Sequence, residues 1–523
     1  MKKLLLLICI LTFANAQSKW SVISTVPTSP VVNSITVVNS GLIWICTTGG
    51  KVYRSTDSGV TWVLRNGGLP AVDLYGISAI DTTNCWVGTV AGSIYRTSNG
   101  GSNWTLQLTV AGSFTNGIKM FDLNYGIYYG DPTGAGQPYQ FRFTTNGGTA
   151  WTLSPGAPIA GNEFGVINAW DWIDTGKVWI GSANINASPT TANVYRTASG
   201  FRGGSWLTVS LTGNGGTAGL YYQAIGFNNA NNGLAGSNGS NMRKTTDGGA
   251  TWTVATNPGG ILSYAAINMN GLKDGSNIIR ASINTGTTYS SYRTTNLGSS
   301  WTNEPLPALG ITNGIQHMQF VNSALGYSGG NAGTFMKYES INANMKIIIQ
   351  GLYNSSSDKL SLTDTVRTYL RNSTSPYAVV DSSIALVDSS SLTGYFIFDN
   401  AGSGTYYIQV KYRSGLETWS KTGGEAYTTG NTYSYDFTSS ASQAFGNNMP
   451  QVDASPLRFG IYSGDVNQDG IIDLTDVVSV NNSATFFTTG YVVNDVNADF
   501  IVDLTDIIIT NNNSSIFVQK ITP

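Results

Sequence analysis

The chain has 523 residues, of which 11% are charged, 11% are aromatic and 62 are glycine, with a formal net charge of -2. That composition excludes long charged helices and coiled coils, and a pI near 5.5 excludes the global basic field used to capture nucleic acid. A mean hydropathy of -0.04 leaves ample apolar surface for folded, turn-rich β-structure in two to four domains.

Lys2 and Lys3 precede an apolar run over 4–13, and Ala14-Asn15-Ala16 sets small residues where a signal peptidase reads, so 1–16 is expected to be a secretory signal peptide. Ile8 before Cys9 argues against a lipoprotein signal. No later segment approaches the roughly 18–20 apolar residues of a membrane helix, so no transmembrane anchor is expected. The mature chain keeps only Cys46 and Cys85, too few for a disulfide framework.

A repeated octet follows: STDSGVTW (55–62), TSNGGSNW (97–104), TTNGGTAW (144–151), TTDGGATW (245–252) and TTNLGSSW (294–301), with a longer copy ending at Trp206. The tryptophans are spaced by 42, 47, 55, 46 and 49 residues, the period of a four-stranded propeller blade. In each octet the Ser/Thr hydroxyl and the Asp/Asn side chain can bond turn amides, and the central glycine can take positive φ. The octets resemble the Asp-box (BNR) repeat, found in sialidases, sortilin-type receptors and the photosystem II assembly-factor propellers. The resemblance spans roughly 18–340 and implies blade-edge turns with structural roles. Trp20 opens a strand without a preceding octet, while 314–339 supplies three strands without a following one. Joined, these fragments make a seventh blade, so a seven-bladed propeller over 17–340, closed by the N-terminal strand, is expected.

Catalytic signals are sparse. Arg54, Arg96, Arg196 and Arg293 each stand one residue before an octet and so belong to the repeat, and no F/Y-R-I-P motif or arginine triad marks a sialidase. His317, the single histidine, excludes a multi-histidine zinc site and reads as a strand position. Glu163, Asp171 and Asp174 lie off the repeat in a long insert beside Trp170 and Trp172. They are the candidate acids of a glycoside hydrolase, which needs two carboxylates across the scissile bond. The alternative has the tryptophans lining a strand and the acids solvated at turns.

After residue 340 the octets stop, and longer alternating runs over 345–455 suggest an immunoglobulin-like β-sandwich serving as a spacer. At 460–523, DVNQDGIIDLTD and DVNADFIVDLTD recur thirty residues apart. Asp465, Asn467, Asp469, the Ile471 carbonyl, Asp473 and Asp476 fall at EF-hand positions 1, 3, 5, 7, 9 and 12; Asp495, Asn497, Asp499, the Ile501 carbonyl, Asp503 and Asp506 repeat them. Two calcium ions are expected, the second bound more weakly because position 6, which needs positive φ, is Gly470 in the first loop and Phe500 in the second.

The duplicated loops resemble a type I dockerin module, with Asp at position 12 as in that family and one helix after each loop. The resemblance implies docking to a cohesin-like scaffold through positions 10 and 11, here Leu474, Thr475, Leu504 and Thr505. The other reading is a calcium-stabilised cap without a cohesin. The expectation is thus a mainly β, secreted, extracellular or cell-surface protein that binds a polysaccharide or surface protein, with a dockerin-bearing glycoside hydrolase as the alternative. No nucleic-acid partner is expected.

Overall fold

The computed structural model describes residues 19–185, 191–213, 219–261, 264–286, 288–307 and 314–523. The segment read as a signal peptide lies outside them. No helix among the described residues is long and apolar enough to cross a membrane.

The chain is mainly β and propeller-like. Residues 20–339 form seven successive antiparallel sets of four strands among the described residues, the fourth and fifth joined into one eight-stranded sheet through Ala183 with Tyr221 and Asn184 with Leu220. The first is Val32–Val37, Ile43–Thr47, Val52–Ser55 and Val63–Leu64, and the units beginning at Leu74, Thr115, Glu163, Leu220 and Ala265 repeat the order. The seventh takes Ile315–Asn322, Leu325–Gly330 and Thr334–Glu339 from late in the chain and Trp20–Thr25 from its start, with Trp20 opposite Tyr338. That strand covers an edge that would otherwise present unpaired amides.

The first strands of six of the seven units line a common central channel. Each of these seven strands carries a register shift near its beginning, after Val32, Leu74, Thr115, Gly165, Tyr222, Ala266 and Ile315. A bulge sharpens the twist and re-aims a side chain. An innermost strand is also a sheet edge, so its free amides and carbonyls need partners from elsewhere.

Side chains of adjoining units supply them. Asn33 Nδ2 donates to Leu74 O (2.9 Å), Ser78 Oγ accepts from Met120 N (2.9 Å), and Asp131 Oδ1 accepts from Gly165 N (2.7 Å). Asp171 Oδ2 accepts from Phe227 N (2.7 Å), Gln223 Nε2 donates to Ala266 O (2.8 Å), and Asn268 Oδ1 accepts from Met318 N (3.3 Å). His317 Nδ1 accepts from Ile35 N (2.9 Å) and Gln319 Oε1 from Val37 N (2.8 Å), so the seventh unit's stitches land on the first.

The octets form the turns between third and fourth strands, and their polar groups are spent within the turn. Thr144 Oγ1 accepts from Gly148 N (2.8 Å), Asn146 Oδ1 accepts from Ala150 N (2.9 Å), and Gly148 has φ +93°. Thr245, Asp247, Thr294 and Asn296 repeat this scheme. Four octet tryptophans tie their unit to the one before it: Trp62 donates to Ser24, Trp104 to Arg65 O, Trp206 to Ser154 and Trp301 to Thr256 O. The preceding arginines reach forward, Arg96 to Gly147 O and Arg196 to Gly248 O. Cys46 and Cys85 are free, buried thiols in one apolar cluster.

The next domain begins at Ile341–Lys346, slightly before the boundary read from sequence. Its strands form two groups sharing one core. In one, Thr418–Trp419 and Glu425–Tyr427 flank Gly404–Lys411, followed by Asp364–Asn372 and Val379–Val387; in the other, Thr393–Phe398, Ile341–Lys346 and Asn431–Asp436 pair in that order. A single residue pair, Val387 with Gly394, joins them. The sixth unit's octet arginine is diverted to this domain: Arg293 pairs with Glu304 (3.4 Å) and Asp399 (3.2 Å), and the buried Arg280 shares Glu304 (3.0 Å).

One helix follows each of the two tail loops, Leu474–Thr485 and Leu504–Ser514. Asp473 and Asp503 cap them in reciprocal capping boxes with Asp476 and Asp506. The tail is packed onto the sandwich-like domain, with Ala498 inside that domain's core and Asn513 Nδ2 donating to Gln350 and Ser463 O.

Candidate functional site

Three places concentrate chemistry. The first is the end of the units where the innermost strands begin. Half-buried rings pair there: Tyr75 with Phe114 at 4.7 Å and Phe164 with Tyr221 at 5.8 Å between centroids. Each pair bridges neighbouring units, because Tyr75, Phe164 and Tyr221 are the second residues of Leu74–Ala79, Glu163–Trp172 and Leu220–Phe227. Acids stand among them. Glu163 accepts from Asn193 Nδ2 (2.5 Å) and the Tyr195 hydroxyl (3.4 Å), and Asp73 accepts from Gly49 N (2.8 Å). Asp131 accepts from Asn116 Nδ2 (2.7 Å) and Gly165 N, and burial pushes its carboxyl up to about 6. Ring faces beside hydrogen-bonding acids suit a polyhydroxylated ligand or a tyrosine-rich protein surface.

The candidate acids from the sequence do not converge. Glu163 lies opposite Asn184 and Asp171 opposite Trp179, five residues apart on one partner strand. At about 3.3 Å per residue the separation is roughly 17 Å, beyond the ~5–10 Å of a glycosidase pair. Asp171 is not at a solvated turn. It is 6% exposed, stitches the next unit's Phe227 N, accepts from Trp172 N (2.8 Å) and takes both Lys273 contacts (2.8 and 2.7 Å), which leaves no lone pair poised for acid–base work. Asp174 is exposed and closes a turn by accepting from Gly176 N and Lys177 N. His317 is half-buried with Nδ1 as an acceptor, and loss of solvation lowers its pKa to about 4, so it is neutral and structural.

The second place is the channel. Between Gly165 and Trp170 the fourth unit's inner strand carries three extra residues, and Asn168, at φ +58°, reaches across to the first unit: its Nδ2 donates to Asn33 O (3.0 Å) and its Oδ1 accepts from Ser34 Oγ (3.4 Å). This bulge separates the aromatic face from a cavity of about 390 Å³ lined by innermost strands of six units. Lys119, Lys273 and Asn168 carry no sequence motif, and only the topology brings them together.

The third place is the tail loops. In the first, Asp476 accepts from Val466 N, Asn467 N and Asp473 N, while Asn467 and Asp469 accept from Asp469 N and Ile471 N. One oxygen is left over: Asp465 Oδ1 is buried without a partner. Burial, with Asp476 and Asp469 close by, raises its carboxyl to about 6. That donor set of carboxylate, amide and carbonyl oxygens fits a hard cation. The second loop repeats the turn, but Asp495 accepts from Asp499 N and Phe500 N, and the Arg413 guanidinium of the preceding domain stands 3.8 Å away. Position 6 has positive φ in both loops, +93° at Gly470 and +72° at Phe500. Among the described residues no three His, Cys, Asp or Glu side chains form a ready-made metal cluster.

The helices leave paired apolar residues exposed: Leu474 and Leu504 (70% and 66%), Val478 and Ile508, Phe486 and Ile516, and Phe487 and Phe517 (68% and 75%). Leu474 and Leu504 open the helices, each followed by the corresponding threonine, so the two halves present equivalent faces.

No family model matches the chain, and no curated protein matches it. Solved structures similar to it include YCF48 bound to D1 peptide (15% identity, 61% of this chain and 94% of that one, TM-score 0.46) and YCF48 from Cyanidioschyzon merolae (18%, 61% and 98%, 0.46). A GH74 xyloglucanase from Xanthomonas campestris is similar at 12% identity over 79% of this chain and 70% of that one, with a TM-score of 0.46. At these values the likeness says nothing about ligand or activity.

Proposed function

We propose that this is a secreted, modular attachment protein. The reading takes the seven units as a closed seven-bladed propeller, the next domain as an immunoglobulin-like spacer, and the tail as a dockerin-like module. The propeller recognises an extracellular ligand, a polysaccharide or a surface protein, on its aromatic face. The tail binds two calcium ions through Asp465, Asn467, Asp469, Ile471, Asp473 and Asp476, and through Asp495, Asn497, Asp499, Ile501, Asp503 and Asp506. It docks a cohesin-like partner through Leu474, Thr475, Leu504 and Thr505.

The observation that carries binding over catalysis is the pair of inter-unit ring contacts, Tyr75 with Phe114 and Phe164 with Tyr221, beside acids whose oxygens are engaged in hydrogen bonds. Secretion rests on the charged, apolar and small-residue pattern of 1–16. The test is a panel of polysaccharides and surface proteins offered to the mature chain and to Phe164→Ala and Tyr75→Ala variants. Binding that falls tenfold or more in either variant supports the face as the ligand site. Binding unchanged in both removes it.

A glycoside hydrolase stays as the second reading, for one reason. Asp131, with its carboxyl up at about 6, bonds Gly165 N, two residues along the strand from Glu163, so the two acids belong to one neighbourhood of the aromatic face. Turnover abolished in Asp131→Asn would favour it.

A further inference from the structure

We propose that the channel cavity on the other side of the Asn168 bulge is a separate binding site for a compact carboxylate-bearing sugar, a hexuronate or its chain end, with Lys119 as the anion-binding residue. The inference does not rest on the aromatic-face reading, because the bulge divides the two.

The cavity is a built enclosure. Its walls are the central and later parts of the innermost strands, and its closed end is Asn168, fixed to Asn33 and Ser34. A volume of about 390 Å³ is at the small end of ligand sites and admits one or two sugar rings. Nearly every polar group on the wall is already committed. His317, Asn268 and Gln319 stitch inner-strand amides. Lys273 spends its three protons on the two Asp171 oxygens and on Gly271 O. Asp274 accepts from Ser276 N and Oγ and from Ser323 N.

Lys119 is the exception among the charged groups. Its Nζ makes no hydrogen bond or ion pair with a described residue. It lies over the Trp172 ring at 5.2 Å and the Phe121 ring at 5.9 Å, which hold the ammonium without neutralising it. A half-buried cation lacking a counter-charge attracts an anion, since partial exclusion of water lowers the local dielectric and strengthens the interaction. Two further wall groups are free to meet hydroxyls: the Asn270 side-chain amide and the Thr36 hydroxyl bond to no described residue. Trp172 is half-buried and offers a flat apolar surface at the mouth. One carboxylate, several hydroxyls and one apolar ring face describe a sugar acid.

Calorimetric titration of the full mature chain with glucuronate and galacturonate tests this, with glucose and inorganic phosphate as separate arms. The expected result is saturable uronate binding that Lys119→Met weakens tenfold or more and Lys119→Arg largely retains. Glucose should not bind measurably, and phosphate should bind more weakly than the uronates. Trp172→Ala is the second variant, expected to lose affinity even if Lys119→Met folds poorly. Absence of uronate binding, equal binding by a folded Lys119→Met, glucose binding as well as uronate, or phosphate matching the uronates would each overturn the assignment.

Discussion

His317 closes the ring of inner-strand stitches, and its protonation state sets a measurable pH dependence. Its Nδ1 accepts from Ile35 N at 2.9 Å and can do so only while that nitrogen is unprotonated. Burial holds the imidazole near pKa 4, against 6.5 in the unfolded chain. The folded-state pKa is depressed, so the contribution to stability is complete above pH 6.5 and is lost as pH falls towards 4, where the unfolded chain takes up a proton that the fold refuses. At 1.36 kcal/mol per pKa unit, the loss between pH 7 and pH 4.5 is about 2 kcal/mol and levels off near 3 kcal/mol below pH 4. His317→Gln supplies a non-titrating acceptor of similar reach, as Gln319 already does for Val37 N. Urea unfolding followed by tryptophan fluorescence reads this part of the chain, since all the tryptophans but Trp419 lie within 20–301. Acidification should cost the wild-type chain about 2 kcal/mol more than His317→Gln, the variant cancelling the carboxylates common to both. Equal losses in the two proteins would refute the stitch.

Glu304→Gln leaves the buried Arg280 and Arg293 short of their shared counter-charge and should destabilise by about 3–5 kcal/mol, read as a lowered Tm; an unchanged Tm would mean Asp399 alone suffices. Thr144→Val removes the acceptor for Gly148 N within a closed turn and should cost roughly 1–3 kcal/mol, with a loss under half a kilocalorie in chemical denaturation counting against it. Calcium titration of the mature chain should show two unequal sites, and Asp465→Asn should abolish the tighter one, because Asp465 holds the buried oxygen without a partner; two equally tight sites would contradict the assignment.

What was legible in the sequence follows from how locally each feature is determined. The octet turns are closed by residues four apart, as Thr144 is from Gly148, so a short motif specifies them. The pairing of Trp20–Thr25 with Thr334–Glu339 followed from counting strands at the two ends, because a lone strand and a three-stranded remnant each leave an edge. The stitches were invisible: His317 and Ile35 are 282 residues apart, and nothing in GIQHMQF marks an acceptor for a distant amide. Asp171 was misjudged for the same reason, since its Lys273 partner lies 102 residues on and turns an expected solvated acid into a buried stitch. Glu163, Asp171 and Asp174 looked like a group only because they are near in sequence, whereas along an extended strand eight residues carry the chain most of the way across a sheet. Asp131 is an acid off the repeat, but the burial that raises its carboxyl, against the lowering effect of its hydrogen bonds from Asn116 and Gly165, arises only when the units pack. Lys119, in GIKM, carries no signal at all; its isolation is a property of the channel.

The central claim is recognition without turnover on the aromatic face. The most direct measurement incubates the mature chain with whichever polysaccharide it retains most strongly and follows bound ligand and new reducing ends together. The account predicts saturable binding that depends on Phe164 and Tyr221, with no release of reducing ends above the protein-free control. Reducing ends that accumulate with the wild-type chain and vanish with Asp131→Asn would contradict it.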